Sequence, residues 1–185
     1  NKISYIFQDP LSTLHPLIKI GKQLEETFIE HNHQKNKEAV LKGKELLKLV
    51  QIPNIENVWN SYPHELSGGM RQRVSIAMAL TNDPELIIAD EPTTALDVTV
   101  QAQILSLLDT LRKERGLSVL FISHDFGVVS QICDRVIVMY GGQIVEEGKT
   151  ENIMSKPRHP YTSQLMECVP HIGFGKRKLP TILGS

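Results

Sequence analysis

Apolar residues along the chain follow two different spacings, and each spacing predicts a different kind of element. The opening run over Ile3–Gln8 predicts a strand, closed by the turn signal Asp9-Pro10. From about Gly21 to Leu80, apolar residues recur every three or four positions, which predicts helices. The apolar sets of these helices are Ile20, Leu24 and Phe28; Ala39, Gly43, Leu46, Leu47 and Val50; and Met70, Val74, Ala77 and Met78.

Beyond Pro84 continuous apolar runs replace the helical spacing. Leu86–Ala89 predicts a strand buried on both faces, and Ser118–Ile122 predicts a second buried strand. A helix that ends at Gly116 is expected between them, because Gly stops a helix in the left-handed conformation. Its predicted buried face carries Ile104, Leu107, Leu108 and Leu111. Strand, helix and strand with short joints indicate a parallel sheet.

The remainder of the chain predicts a hairpin and a tail. A short helix over Val128–Ile132 precedes the strands Val136–Tyr140 and Gln143–Glu147, which the pair Gly141-Gly142 joins. We therefore expect an α/β fold whose parallel sheet carries an inserted helical part. The expected divisions are a helical subdomain over residues 12–82, an α/β core over 83–148 and a C-terminal tail over 149–185.

The composition is that of a folded chain and narrows the classes of function. With 41% hydrophobic and 22% charged residues in 185 positions, it argues against wholesale disorder. The formal net charge of −1 offers no global basic field for nucleic acid. Cys133 and Cys168 form no disulfide framework or metal-spaced cluster, which fits a reducing cytosol. No apolar run reaches the ~18 residues that a membrane span needs.

Two adjacent carboxylates, Asp90 and Glu91, follow the predicted strand Leu86–Ala89, and Pro92 stops the ladder after them. The carboxyl ends of parallel strands face a ligand crevice. One carboxylate there can hold Mg²⁺, which prefers oxygen ligands, and the other can accept a proton from an attacking water. The alternative is an ordinary acidic turn after a strand.

A helix start with two glycines, Ser67-Gly68-Gly69, is a candidate anion site. Its backbone N–H groups, the helix dipole and the Ser67 hydroxyl suit a phosphate. The alternative is that Ser67 is only an N-cap, with no ligand.

Ser123-His124-Asp125 follows the second predicted strand and forms a third candidate. His124 is placed to reach the same crevice edge as Asp90 and Glu91, where it could bond a phosphate or orient a water. The alternative is a capping Ser or Asp beside a bystander histidine. Three adjacent residues are not a hydrolase triad, whose members come from separate loops.

The segment Gly142–Thr150 resembles a phosphate-binding P-loop but fails on spacing and context. Five residues instead of four separate its glycines, and Glu146 and Glu147 would repel phosphate. No other segment of the 185 residues fits, so they contain no Walker A motif.

Four histidines are not taken as nickel ligands: His15, His31, His33 and His64. Of these, His31 and His33 are interpreted as solvated. The basic run Lys176-Arg177-Lys178 suits lipid headgroups but is interpreted as a solvated terminus. The single Cys168 defines no iron–sulfur site.

Taken in order along the chain, these motifs resemble the ATPase subunit of an ABC transporter. The resemblance matches Phe7–Pro10 to the Q-loop, Leu66–Met70 to the signature motif, Leu86–Glu91 to Walker B, Ala95–Asp97 to the D-loop and His124 to the switch histidine. Longer strings are similar to the dipeptide, oligopeptide and nickel importer branch. They are Tyr62–Glu65, Asp90–Gln101 and Arg158–Thr162.

The resemblance implies roles for these positions. Glu91 would polarise the attacking water and His124 would contact the γ-phosphate of ATP. Asp90 and Gln8 would hold Mg²⁺, partly through water. Across a head-to-tail dimer, the signature residues would bind ATP held by the opposite subunit. Those interface residues are Ser67, Gly68 and Gly69, with Asp97 assisting.

The resemblance also implies a setting and a departure from the family. It implies a P-loop NTPase-like sheet, a second ATPase subunit (identical or paralogous), membrane permeases, an indirect extracytoplasmic binding protein and no nucleic-acid partner. The subunit would lie on the cytoplasmic face of the membrane. Because Walker A is missing, we expect the N-terminal strand, P-loop and helix to be missing from this chain. Two alternatives stay open: a soluble non-transport ABC ATPase, and a non-catalytic partner that supplies only its signature motif.

Overall fold

The computed structural model describes residues 2–32 and 36–168, in two compact units that divide between Ile122 and Ser123. The interpretations of His33 and of Lys176–Lys178 lie outside the described residues, as do the side chains of His31 and Cys168. The predicted divisions at residues 82 and 148 stay predictions.

The first unit is built on a parallel three-stranded sheet, as the sequence predicts. Strands β1 (Ile3–Ile6), β2 (Leu86–Asp90) and β3 (Ser118–Ile122) lie in the order β1-β2-β3. Ala89 of β2 is level with Ile6 on one side and with Phe121 on the other. The carboxyl ends of the strands are therefore aligned, and the residues that follow β1 and β2 meet at one edge.

The two faces of this sheet differ in burial, which corrects one prediction. Ile87 and Ala89 are fully buried, on the face against which helix α4 (Gly68–Leu80) packs through β1. The register places Leu120 and Ile122 on the other face, where their side chains are 49% and 43% exposed. The prediction that Ser118–Ile122 is a buried strand is therefore wrong on this face, while Leu86 and Ile88 of β2 are half-buried there.

Helices follow β1 much as the apolar spacing predicts. They are α1 (Ile20–Asn32), α2 (Asn36–Leu49), α3 (Ile55–Asn60) and α4, with 3₁₀ turns at Pro10–Ser12 and Pro63–Glu65. The apolar spacing did not predict α3, whose six residues are too few to show a period. Its Trp59 fills a slot left by Gly21 and Gly43; a Cβ at Gly43 would lie 2.7 Å from the Trp59 ring.

Helix α5 (Val98–Arg115) crosses from β2 to β3 and buries the predicted face. Asp97 begins it as the N-cap, because its carboxylate accepts the N–H of Val100 at 2.9 Å. Gly116 ends it with φ = 64°, the left-handed conformation that glycine adopts at little cost.

The second unit pairs a hairpin with three helices. It contains α6 (Phe126–Ile132), β4 (Arg135–Tyr140), β5 (Gln143–Lys149), α7 (Thr150–Ser155) and α8 (Pro160–Cys168). Gly141 and Gly142 join the strands at φ = 57° and 78°, as a tight hairpin requires. The segment that resembles a P-loop is therefore mostly strand β5, which confirms that its context is wrong for phosphate. Val129, Val136, Val138 and Ile153 form the core.

Glu146 of β5 holds the segment that leads into α8. Its carboxylate accepts the backbone N–H groups of Arg158 at 2.8 Å and of His159 at 3.0 Å. Desolvation raises the pKa of Glu146, but the hydrogen-bond donors around the carboxylate, first among them the Arg158 N–H, together with the charge of His159 outweigh it and hold the pKa below its usual value of 4.5. This carboxylate, one of the two that argued against a P-loop, is therefore a structural anchor.

Candidate active site at the sheet edge

Asp90 ends β2 and receives a hydrogen bond from the neighbouring strand. The register places Tyr5 of β1 level with Ile88, on the face that also carries Asp90. The Tyr5 hydroxyl donates to Asp90 Oδ2 at 2.7 Å. This hydrogen bond raises the pKa of Tyr5 above its usual 10.0, because removing the proton would leave two anions in contact. One carboxylate oxygen of Asp90 is thus fixed by the sheet itself.

Glu91 has a strained backbone and an oriented carboxylate. Its φ is 44°, which is uncommon for a residue other than glycine. Its N–H donates to the Ile122 carbonyl at 2.9 Å, so the end of β3 supports the turn. Gln8 Nε2 and Thr94 Oγ1 donate to Glu91 Oε2 at 2.9 and 3.0 Å. Two neutral donors therefore orient this carboxylate at the edge of the sheet.

The turn that presents Gln8 is fixed locally. Asp9 Oδ1 accepts the N–H of Leu11 at 2.9 Å, and the Asp9 carbonyl accepts the N–H of Ser12 at 3.0 Å. These bonds hold the 3₁₀ turn that Pro10 begins. The turn that Asp9-Pro10 predicts is confirmed, and it sets Gln8 against Glu91.

The start of α4 is capped and closely packed. Ser67 Oγ accepts the N–H of Met70 at 3.3 Å, which confirms the predicted N-cap. A Cβ at Gly69 would lie 2.6 Å from Val100 Cγ1, whereas one at Gly68 would make ordinary contact with Leu96 at 3.5 Å. Gly69 is therefore required by packing against α5, in addition to any role toward a ligand.

A small cleft brings three of the predicted motifs together within the first unit. Its walls come from the turn after β1, the first turns of α4 and the turn after β2. They are lined by Gln8, Asp9, Pro10, Gly68, Arg71, Gln72, Pro92, Ala95 and Leu96. Gln8, which bonds Glu91, thus shares a cleft with the glycine start of α4.

His124 belongs to the second unit, in the turn before α6. Asp125 is the N-cap of α6 and accepts the N–H groups of Gly127 and Val128 at 2.8 and 3.3 Å. Ser123 Oγ accepts the N–H of Asp125 at 3.0 Å. The capping alternative therefore accounts for Ser123 and Asp125, while the expected position of His124 beside Asp90 stays a prediction.

The donors at the end of β2 fit Mg²⁺ better than a metal that needs a protein cage. Within residues 2–32 and 36–168 no group of three or more His, Cys, Asp or Glu side chains could enclose a metal. Mg²⁺ commonly takes one or two carboxylates and completes its shell with water and phosphate oxygens. The Asp90 carboxylate and the Gln8 amide oxygen are the oxygen donors that suit it here.

Sequence reasoning missed Tyr5 and Thr94, which bond the two carboxylates. A signal existed for Thr94, which follows Glu91 by three residues and could fold back on it. Tyr5 carried no local signal, because its contact depends on β1 pairing with a strand more than 80 residues away.

No helix among the described residues is long and apolar enough to cross a membrane.

Two family models match the two ends of the chain. Residues 1–94 match the family model described as ABC transporter. Residues 145–185 match the model described as oligopeptide/dipeptide transporter, C-terminal region. The strings Tyr62–Glu65 and Arg158–Thr162, which pointed to the importer branch, lie within these two matches.

Several curated proteins are similar over nearly the whole chain. A protein of Sinorhizobium fredii named as a peptide ABC transporter ATP-binding protein is 51% identical over all of this chain and 55% of its own length. The glutathione import ATP-binding protein GsiA of Escherichia coli is 49% identical over 97% of this chain and 30% of its own length. The chain spans about half the length of the Sinorhizobium relative.

Solved structures agree in fold. A dimeric ATP-binding cassette, MJ0796, in a post-hydrolysis state bound to ADP and Pi superposes with a TM-score of 0.70 at 33% identity; the match covers 81% of this chain and 63% of that one. The protein cbiO1 of Clostridium perfringens, described as part of an ABC transporter complex, gives 0.74 at 28% identity, over 84% and 60%. With an α/β parallel sheet, a family match over its first half and a C-terminal importer-type region, the chain belongs to the ATP-binding family of ABC transporters, in the oligopeptide/dipeptide branch.

Proposed function

We propose that the chain is part of the ATP-hydrolysing subunit of an ABC importer for small peptides or nickel. Family membership and the peptide and glutathione import names of its relatives support the importer assignment. The observation that carries the ATPase assignment is the hydrogen bond from Gln8 Nε2 to Glu91 Oε2, at the carboxyl edge of a parallel sheet.

In this proposal Glu91 is the general base. Its carboxylate, held by Gln8 and Thr94, polarises a water that attacks the γ-phosphate of ATP and takes up the proton. A base of this kind typically contributes about 10²–10⁴-fold to a rate. The left-handed backbone at Glu91 agrees with this role, since strain collects at functional positions.

Asp90, Gln8 and His124 surround the nucleotide in the same proposal. Asp90 and Gln8 would hold Mg²⁺, which neutralises charge on the phosphate oxygens when bound. Tyr5 keeps the Asp90 carboxylate oriented through Oδ2. His124 would contact the γ-phosphate.

The start of α4 would act on a second nucleotide. Ser67, Gly68 and Gly69 are exposed or half-buried, so their polar groups remain accessible to a phosphate held by a second ATPase subunit, identical or paralogous. Asp97 would assist across that head-to-tail interface. Closing of the dimer would move permease subunits that accept substrate from a binding protein outside the cell. The subunit would then lie on the cytoplasmic face of the membrane, without spanning it.

The 185 residues taken alone would not hydrolyse ATP. They contain no Walker A loop, whose backbone N–H groups and lysine supply most contacts to the β- and γ-phosphates. Asp90 and Glu91 would face a polyanion with too little positive charge nearby. We therefore expect weak or no ATP binding and no measurable turnover from this chain by itself.

The test compares this chain with the complete subunit encoded by the gene that carries it. ATP turnover is expected from the complete subunit, and Glu91→Gln should lower kcat about 10²–10⁴-fold while ATP binding is kept. Glu85→Gln is the matched control, because Glu85 lies at the opposite end of β2 and pairs with Lys2 on the surface. Unchanged kcat in Glu91→Gln would refute the base assignment. Copurification with ribosomes or DNA instead of a permease would refute the importer assignment.

A further inference from the structure

Gln101, on the first turn of α5, ties that helix to the turn that follows β2. Its side-chain Nε2 donates to Thr93 Oγ1 at 3.2 Å. Thr93 is only 6% exposed, so the Gln101 amide gives this hydroxyl a partner where water has little access. The hydrogen bond therefore joins α5 to the segment that begins at Glu91, two residues before Thr93.

The turn after β2 places a second hydroxyl on Glu91. The N–H of Thr94 donates to the Glu91 carbonyl at 3.3 Å, and the N–H of Leu96 donates to the Thr93 carbonyl at 3.1 Å. Within this turn Thr94 Oγ1 reaches Glu91 Oε2 at 3.0 Å. Thr94 is exposed, so packing does not fix its hydroxyl and the position of the turn must do so.

The backbone of Gln101 is fixed at the start of α5. Its N–H donates to the Asp97 carbonyl at 2.8 Å, and the Asp97 carboxylate caps the same turn through the N–H of Val100. Val100 lies so close to Gly69 of α4 that a Cβ there would be 2.6 Å from Val100 Cγ1. A capped and packed helix start is a firm support. The left-handed backbone at Glu91 needs one, since a strained conformation persists only where the surrounding structure holds it.

We propose that Gln101 is a positioning residue for Glu91 and acts through Thr93 and Thr94. By holding Thr93 it fixes the turn, and the turn keeps the Thr94 hydroxyl on Glu91 Oε2. The start of α5 thereby controls the direction of the base at the end of β2. This inference rests on the proposed function, in which Glu91 is the general base.

The experiment uses the complete subunit and measures kcat, KM for ATP and Tm. Gln101→Met keeps a side chain of similar length but removes the amide donor. The kcat should fall about 10-fold while KM changes less than about 2-fold, because a misplaced base slows the chemical step without weakening ATP binding. Thr110→Val is the control on the same helix. It removes a hydroxyl that donates to the Ser106 carbonyl near the other end of α5, and should leave kcat unchanged.

Two substitutions at Thr93 separate positioning from folding. Thr93→Ser keeps the hydroxyl that Gln101 binds but loses a buried methyl group, whereas Thr93→Val keeps the buried volume but loses the acceptor. Both should lower Tm by similar amounts. Only Thr93→Val should lower kcat, by about 10-fold as in Gln101→Met. If Thr93 served only folding, kcat would follow Tm in both variants.

A double-mutant cycle with Thr94→Val decides whether the effect passes through the Thr94 hydroxyl. Thr94→Val alone should lower kcat at least as much as Gln101→Met, and adding Gln101→Met to it should cause no further loss. Full kcat in Gln101→Met or in Thr94→Val, equal kcat in the two Thr93 variants, or losses that multiply in the double mutant would overturn the inference while leaving the proposed function intact. A wild-type complete subunit without ATPase activity would overturn the proposed function and this inference with it.

Discussion

The end of β2 and the start of α4 are both candidate phosphate-handling sites, yet the structure explains their residues differently. At the end of β2, Asp90 and Glu91 accept hydrogen bonds from Tyr5, Gln8 and Thr94, and Glu91 has a strained backbone. At the start of α4, capping and packing restrict which residues can occupy the motif.

Packing and capping account for a large part of the α4 motif. Ser67 caps the helix, and a side chain at Gly69 would collide with Val100 of α5. The comparison teaches that a motif can be needed for folding and for ligand binding at once. Loss of activity after a substitution in α4 therefore says little unless stability is measured too.

The largest effect that separates the folding role of the α4 motif from its ligand-binding role is expected for a substitution at Gly69. Gly69→Ala should destabilise the first unit by about 1–3 kcal/mol, because the new methyl group overlaps Val100. Turnover of the complete subunit should fall about 10²-fold, because the methyl group, although it leaves the backbone N–H in place, hinders the approach of a phosphate to it. Denaturant unfolding and ATPase assays on the same preparation measure both quantities.

The second substitution Val100→Ala makes the Gly69 result decisive. In Gly69→Ala/Val100→Ala the methyl group has room, so much of the lost stability should return while turnover stays low. Val100→Ala alone serves as the control. Recovery of turnover together with stability would mean that Gly69 is a packing residue only.

A smaller effect is expected at Ser67, where the cap and the ligand role can be separated by charge. Ser67→Ala should cost about 1 kcal/mol of stability through loss of the cap. Ser67→Asp keeps a capping acceptor and suits the helix dipole, so stability should be retained. Its negative charge should nevertheless lower turnover, because it repels phosphate. Equal turnover in Ser67→Asp and wild type would argue that no phosphate approaches this helix.

The smallest effect concerns the Tyr5–Asp90 contact at the end of β2. Because Asp90 raises the pKa of Tyr5, Asp90→Ala should lower that pKa toward 10.0. The stability that this contact contributes is complete below pH 10 and is lost as the pH rises through the higher folded-state pKa. Ultraviolet titration of phenolate, with Tyr5→Phe used to subtract the other tyrosines, measures the shift. An unshifted Tyr5 pKa in Asp90→Ala would show that the hydrogen bond does not persist in solution.

Local signals were enough to predict the parallel sheet, α5 and the hairpin. Gly116 and the pair Gly141-Gly142 stand where the backbone has positive φ, so their positions alone mark where elements end. The capping roles of Ser67 and Asp125 were likewise foreseeable, because a capping side chain contacts residues only two or three positions away.

What the sequence could not predict depends on contacts between distant segments. The burial of each sheet face depends on what covers it, so the apolar character of Leu120 and Ile122 did not indicate that their side chains are partly exposed. Tyr5 reaches Asp90, and Gln8 reaches Glu91, only because β1 pairs with β2. The burial of the Gln72 side chain could not be predicted either, because it depends on how α4 packs against distant segments.

The hydrogen bonds to Glu146 should protect the backbone around Arg158 from hydrogen exchange and from proteolysis. Both N–H groups at this point are tied to one carboxylate, so their amide hydrogens should exchange slowly with deuterium. Trypsin should cut poorly after Arg158, since a protease needs a local segment that can open. The protection should persist at neutral pH and disappear as acid protonates Glu146, at a pH below its usual 4.5.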